Sequence, residues 1–492
     1  MKIEIANLGV IEKAEIDLKP LTVFIGGNGT GKTWTAYTLA SILGEYGCEK
    51  YWQAYLDKKT QQRYPIIDKA IEEFLQEGNV RINLIDFAEE FLETYINDVS
   101  ALAHTWMNEF LATDRVDFKK MKVSFDLADI KLKIINNIKK YSFSKEIYFG
   151  SPQNKNALRI LKEKSENSIY FYLISVSNSN QSNILEKLPR IVFEEILFEV
   201  IFAFIHKAFY SFVYIFPTER TGILPLFSSA TKIENYVDIE NFDDLDENVK
   251  NLSSIKLSIP VQDLKSTLAS IYIKTSSERE KEIQLYPEVL AYIRLAEILE
   301  NDILGGKVNI DNSDFGQEIL YQPSENVKLE MTVSSSMVKE LAPLVLCLRY
   351  FAVPNELLII DEPEVNLHPA AQVQIIEFLA MLVQAGLKVL ITTHSPYIVD
   401  HLSNLIKAAK YEDKEILKER FYLERTEAFI SQEKVSVYLF EDGTAKNILH
   451  EDGRIDWGTF GNVSDAEMLN VVTKLYIFKY SSIIKGKNVN IS

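Results

Sequence analysis

Gly26-Gly27-Asn28-Gly29-Thr30-Gly31-Lys32-Thr33 decides how this chain folds, because it fits G-x-x-x-x-G-K-[ST], the phosphate-binding P-loop. Both flanks supply the context that motif needs. Leu21–Ile25 is a β-branched, apolar run that reads as a buried strand. Lys32–Leu43 carries an apolar face with no Gly or Pro and reads as a helix. The glycines let the loop curl, so that its backbone N–H groups and the helix N-terminus face a phosphate. In that arrangement Lys32 reaches the β- and γ-phosphates and the Thr33 hydroxyl ligates Mg²⁺, which makes ATP and Mg²⁺ the expected ligands.

A second landmark lies far downstream, at Leu357-Leu358-Ile359-Ile360-Asp361-Glu362. Four successive apolar residues describe a strand buried on both faces, as in a parallel sheet. Its carboxylates fall at the C-terminal end, where open α/β sheets place their ligands. Asp361 is placed to help hold Mg²⁺, and Glu362 to act on an attacking water as general base. Pro369 then opens a helix expected to run to about Ala385 and end at Gly386. Leu387–Thr392 is the next strand, and it delivers Thr393-His394-Ser395 to the same edge of the sheet. There His394 can contact a γ-phosphate and sense its loss, while Ser395-Pro396 caps a further helix.

The bulk properties agree with a folded globular chain. With 492 residues, two or three structural units are expected, and 47% apolar and 25% charged residues are ordinary. A net charge of −17 gives no bulk attraction to nucleic acid or anionic membranes, although a local basic groove for DNA stays compatible with it. Cys48 and Cys347 are too few for a disulfide framework or a Cys-based zinc site. No secretory signal is visible, and the most apolar stretch, Ile191–Phe212, is broken by Glu194, Glu195, Glu199, His206 and Lys207. That spacing predicts a buried or amphipathic helix, so a cytoplasmic protein without membrane contact is expected.

Residues 1–50 read as the opening of a nucleotide-binding core, with period-two strands at Lys2–Leu8 and Glu15–Leu18 before the P-loop. Residues 51–210 read as a mainly helical insertion. Ile66–Glu77 and Leu84–Leu111 are helical in pattern, Met121–Leu127 and Ser168–Val176 strand-like, and Ser175–Asn183 a polar loop. Residues 211–330 hold a returning strand that stops at Pro217, the triplet Thr218-Glu219-Arg220 and an acidic stretch at Asp238–Asp244. A helix over Pro287–Glu300 and a strand-rich stretch through Val327–Val333 follow. Residues 331–410 complete the core, and 411–492 hold a hairpin strand at Glu433–Glu441 and a helix at Val463–Phe478. No heptad array is evident, which argues against a long coiled-coil arm.

Taken together, Gly26–Thr33, Leu357–Glu362 and His394 resemble the ABC-type ATPases. The spelling Asp361-Glu362-Pro363-Glu364-Val365-Asn366-Leu367-His368-Pro369 looks like their OLD/RecF-like branch, which includes the Septu and Gabija-type defence ATPases. Transporter subunits usually have an aspartate where this chain has His368. Asn7-Leu8-Gly9, Pro20–Gly26 and Thr393–Pro396 are similar to that branch too. The resemblance implies an α/β fold of the ABC-type P-loop class, with a central mostly parallel sheet, an N-terminal β-subdomain and a large insertion. It also implies a head-to-tail homodimer, or a higher oligomer built from it, with ATP between the P-loop of one copy and the signature motif of the other.

The signature candidate is Val333–Leu341, in which Ser334, Ser335 and Ser336 would bind the partner's γ-phosphate; Ser336 stands where a glycine is common. The glutamine of the transporter Q-loop has no clear match, and Thr218-Glu219-Arg220 lies roughly where its strand would end. Members with a Toprim nuclease need a glutamate and an Asp-x-Asp pair, and no Asp-x-Asp follows His394. An ATPase without that nuclease, licensing a separate effector such as a nuclease in bacterial anti-phage defence, is therefore the first reading. A RecF-like, ATP-gated DNA-binding protein of DNA repair or maintenance is the second, and a transporter energy subunit ranks last.

Overall fold

The computed structural model describes residues 1–151, 154–175, 188–225, 256–313, 316–411 and 425–456. The polar run 176–183, the acidic stretch Asp238–Asp244 and the expected helix Val463–Phe478 lie outside them.

Sixteen strands are described. They are β1 (Lys2–Leu8), β2 (Ile11–Asp17), β3 (Leu21–Gly26), β4 (Asn79–Asn83), β5 (Lys122–Asp126), β6 (Phe143–Ser151), β7 (Asn154–Lys162) and β8 (Ser168–Ser175). Then come β9 (Val213–Phe216), β10 (Lys307–Ser313), β11 (Gly316–Ser324), β12 (Val327–Glu330), β13 (Leu357–Asp361), β14 (Lys388–Thr393), β15 (Val435–Glu441) and β16 (Thr444–Asn447). Nine of them form one mixed sheet in the order β5-β1-β2-β16-β15-β3-β14-β13-β9.

The run β15-β3-β14-β13-β9 is parallel throughout. Every residue of β3, β9 and β13 is buried, as a parallel strand covered on both faces requires. Alternate side chains feed two separate cores: Phe24, Ile359 and Leu390 enter one, Val23, Ile25, Leu358 and Ile391 the other. The first core holds the helix Lys32–Leu43 and most of residues 51–210; the second holds the helices Ser336–Tyr350, Pro369–Gln384 and Pro396–Ala408. At the other end β5, β1 and β2 pair antiparallel, and β1 alternates exposed and buried positions. An α/β fold with a large mixed sheet between helical layers results, as the sequence predicts.

Register decides where the chemistry falls. Ile25 lies beside Thr393 on one side and Leu439 on the other, and Asp361 lies beside Thr392. The P-loop, the Asp361-Glu362 pair and His394 thus leave the sheet at one edge, at the C-terminal ends of neighbouring parallel strands.

Elsewhere the chain departs from expectation in ways that have local causes. Helices dominate 51–210, but β4-β8-β7-β6 form a four-stranded antiparallel sheet there. β6 and β7 were not expected, because β6 leaves most of its side chains at least partly exposed and owes its conformation to nine cross-strand partners in β7. The predicted helix over Leu84–Leu111 starts under an Asn83 cap, whose Oδ1 accepts from Ile85 N at 3.0 Å, but stops at Leu102. The side chains of His104 and Thr105 bond back to the carbonyls of Ala101 (2.8 Å) and Leu102 (2.7 Å), and the chain turns there. The predicted helix over Pro287–Glu300 is regular over Val289–Ile298, then widens to a π-helical turn, Leu299–Leu304, closed by left-handed Gly305. The predicted hairpin strand at Glu433–Glu441 is joined to the main sheet, β15 to β3 and β16 to β2.

The apolar helix Arg190–Lys207 lies in the first core. No helix among the described residues is long and apolar enough to cross a membrane. Its His206 is buried, with Nδ1 2.9 Å from the Tyr95 hydroxyl, and burial pulls the imidazole down to about 4 from 6.5. The unfolded chain therefore takes up this proton first, and stability falls as pH drops from 6.5 toward 4. We expect this group to contribute on the order of 3 kcal/mol to that loss. Urea unfolding of wild type and His206→Gln at pH 7 and pH 4.5 checks it: the variant should lose distinctly less stability between the two.

Candidate nucleotide site

The loop after β3 is shaped by its neighbours. Gly26 has φ 153°, and a Cβ there would stand 2.4 Å from the Phe440 carbonyl oxygen of β15. Gly31, which precedes the helix, has φ 96°, and its Cβ would strike the Ile11 side chain at 2.7 Å. Between them Gly29 is left-handed and faces open space, with nothing within 4 Å of a Cβ. Asn28 is exposed at the tip, and Thr30 Oγ1 donates to the Gly27 carbonyl at 3.0 Å. Two walls and an open mouth make a cradle for an anion on the helix N-terminus.

Lys32 is 4% exposed, and its Nζ donates to the carbonyls of Gly26 (2.9 Å) and Gly27 (2.7 Å). Burial lowers its pKa, while Glu362, Asp361 and Glu364 work to keep the proton on. A buried ammonium resting on neutral carbonyls fits a phosphate that would share its charge.

Asp361 is buried beneath the loop. Its Oδ1 accepts from Thr33 Oγ1 at 2.9 Å and also from Thr392 Oγ1, and its Oδ2 accepts from Tyr37 OH at 3.4 Å. Burial raises its carboxyl pKa, and the Thr392 and Thr33 hydroxyls oppose that rise. A hydroxyl and a carboxylate oxygen already in contact are the hard oxygen donors Mg²⁺ takes. Among the described residues no cluster of three His, Cys, Asp or Glu could hold a metal alone. The set fits an ion that completes its shell with water and nucleotide phosphates.

Glu362 follows in the left-handed region, φ 49°, and its N–H donates to the Thr392 carbonyl and hydroxyl, both at 3.1 Å. Its Oε1 lies 2.9 Å from His394 Nε2, and that contact holds the carboxyl below the usual range. A carboxylate ionised at neutral pH and partly open to solvent is a competent proton acceptor. His394 is anchored in turn by Glu364, whose Oε1 accepts from His394 N (2.6 Å) and Thr393 Oγ1 (2.7 Å). Nothing in the local sequence around Glu364 assigns it this role. Its signal was the second acid of Asp-Glu-Pro-Glu facing Thr-His on the next strand, a pairing visible only once β13 and β14 are known to be neighbours.

The structure thus gathers Gly26–Thr33, Asp361, Glu362 and His394 at one site. Ser334, which is buried, and Ser335 bond within their own turn, and Ser336 opens the helix that follows. Ser334 Oγ donates to the Glu330 carbonyl at 3.0 Å, and Ser335 caps the helix Ser336–Tyr350 by accepting from Val338 N at 3.3 Å. The expected strand through Val333 ends at Glu330, because the chain turns here to start that helix. Val333, Ser335 and Ser336 are exposed.

A mixed sheet that brings a P-loop, an acidic strand end and a histidine to one edge defines a P-loop ATPase fold. The chain belongs to the AAA ATPase domain family, which matches residues 1–399. This membership implies nucleotide binding, ordinarily with Mg²⁺. Among solved structures, an SMC head bound to the C-terminal winged-helix domain of ScpA is similar at 11% identity, covering 91% of this chain and 96% of that one, TM-score 0.32. The Pyrococcus furiosus Smc head with an extended coiled coil, bound to the C-terminal domain of ScpA, gives 13%, 91%, 95% and 0.32. The Thermotoga maritima SMC head domain gives 10%, 91%, 97% and 0.28. No curated protein matches the chain.

Proposed function

We propose that this protein binds ATP with Mg²⁺ and hydrolyses it in a head-to-tail homodimer, and that the cycle controls a separate effector in bacterial anti-phage defence. The observation that carries the ATPase reading is one contact network: Thr33 on Asp361, and Glu362 held by His394, beside a buried Lys32. Mg²⁺ bound by Thr33 and Asp361 would neutralise phosphate charge. Lys32 exchanges two carbonyls for phosphate oxygens. Glu362 takes a proton from the water that attacks the γ-phosphorus, as the bond to the β-phosphate oxygen breaks and ADP and phosphate leave. His394 orients Glu362 and stands where the γ-phosphate arrives.

The exposed serines at the N-terminus of a 15-residue helix support the dimer, since they offer hydroxyls and N–H groups to a partner's γ-phosphate. Ser335→Arg and Lys32→Ala each lose activity alone. Mixed in equal amounts they should regain about a quarter to a half of the wild-type rate through one intact composite site. No recovery at any mixing ratio counts against the head-to-tail arrangement.

The defence role is supported by the spelling of residues 361–369. Purification from the native cell with ATP or ADP should bring down an effector in one nucleotide state only. DNA-stimulated turnover without any partner would favour the ATP-gated DNA-binding reading instead.

A further inference from the structure

Arg220 follows β9 and is among the largest fully buried side chains described, at 1% exposure. Its hydrogens go to four backbone carbonyls. Nη1 donates to Phe216 (3.3 Å), Pro217 (2.8 Å) and Asp361 (2.6 Å), and Nη2 donates to Glu362 (2.9 Å). Nη2 also pairs with the carboxylate of Glu340, which is itself 1% exposed. Glu340 lies in the second turn of the helix that Ser335 caps. The guanidinium therefore touches the backbone of both acidic residues and, through Glu340, the helix that Ser335 caps.

Stability is a poor reason for such a pair. Two charges taken out of water lose solvation that their contact repays only in part, and apolar residues of the same size are often as good. The burial shows in Glu340, whose carboxyl is pushed up to about 7 against the pull of Arg220. What a buried five-donor fork supplies is fixed geometry. Glu362 needs that, because a glutamate at φ 49° sits in a sparsely populated conformation that its surroundings must impose. Thr392 grips its N–H side and Arg220 its carbonyl side.

We propose that Arg220 is a positioning residue: it fixes the backbone from which Glu362 reaches the γ-phosphate, and locks that backbone to the helix whose N-terminus carries the exposed Ser335 and Ser336. This rests on Glu362 as the base. A partner phosphate docking on the serines would press on Glu340 and, through Arg220, set the base of the same chain. Each half-site thereby senses whether the other is engaged.

The test is a double-mutant comparison in the full chain. Arg220→Lys and Glu340→Gln are each made alone and in a Glu362→Gln background, with MgATP affinity and single-turnover hydrolysis measured. The single variants should keep affinity within about threefold and lose about ten- to a hundredfold in rate, with no further loss on top of Glu362→Gln. An unchanged rate, or an equal loss in both backgrounds, overturns the proposal, since a merely structural defect would add. If Arg220→Lys fails to fold, Glu340→Gln decides by the same comparison. A wild-type rate for Glu362→Gln overturns the base assignment and this inference together. A slow Glu362→Gln beside wild-type rates for the other two overturns the positioning role alone.

Discussion

Glu362→Gln is expected to bind MgATP as well as wild type while hydrolysing it about a hundred- to ten-thousandfold more slowly. The substitution keeps the size of the side chain and the backbone bonds to Thr392 and Arg220 that hold residue 362 in place. It removes the carboxylate that His394 keeps ionised. One negative charge is also lost near Lys32, so affinity for a polyanion should hold or rise. Binding without turnover should accumulate the ATP-bound dimer. Steady-state phosphate release reports the first effect and light scattering with and without ATP the second. A wild-type rate of hydrolysis would rule out Glu362 as the base.

Lys32→Ala acts at the opposite end of the cycle. Nucleotide affinity should fall by about a hundredfold or more, because a buried charge-assisted bond to phosphate is lost. The fold should survive. Alanine suits the first helical position. Thermal unfolding separates the two effects: wild type should gain stability with MgATP by mass action, and the variant should not. A normal ATP-dependent shift in Lys32→Ala would mean that the loop is not the phosphate site.

Much of this site was legible in the chain because each part carries a local signature. The glycines before Lys32 have a fixed spacing, Leu357–Ile360 is uniformly apolar, and Pro369 and Pro396 mark helix starts. The residues that escaped reading act through neighbours set by topology. Glu364 matters because β13 lies beside β14, and Arg220 because β9 lies beside β13. Neither adjacency is written near those residues. β6 and β7 are not legible locally for a similar reason, since each finds its conformation in the other. Conversely, Thr218-Glu219-Arg220 stands out in the sequence only for lying roughly where a Q-loop strand would end. The structure buries Arg220 inside the protein.

The walls of the P-loop have an implication for biosynthesis. β3 is bordered by β14 and β15, whose first residues, Lys388 and Val435, follow Leu21 by 367 and 414 positions (388 − 21 and 435 − 21). Until the ribosome has delivered them, β3 has both of its edges bare and its apolar side chains in search of cover. Such long-range closure is slow and exposes the nascent chain to aggregation. Because the Phe440 carbonyl crowds Gly26, the cradle itself takes shape only at the end of this wait. A newly made molecule should acquire nucleotide affinity late, in one step with the docking of β15, and truncation ahead of Val435 should abolish it.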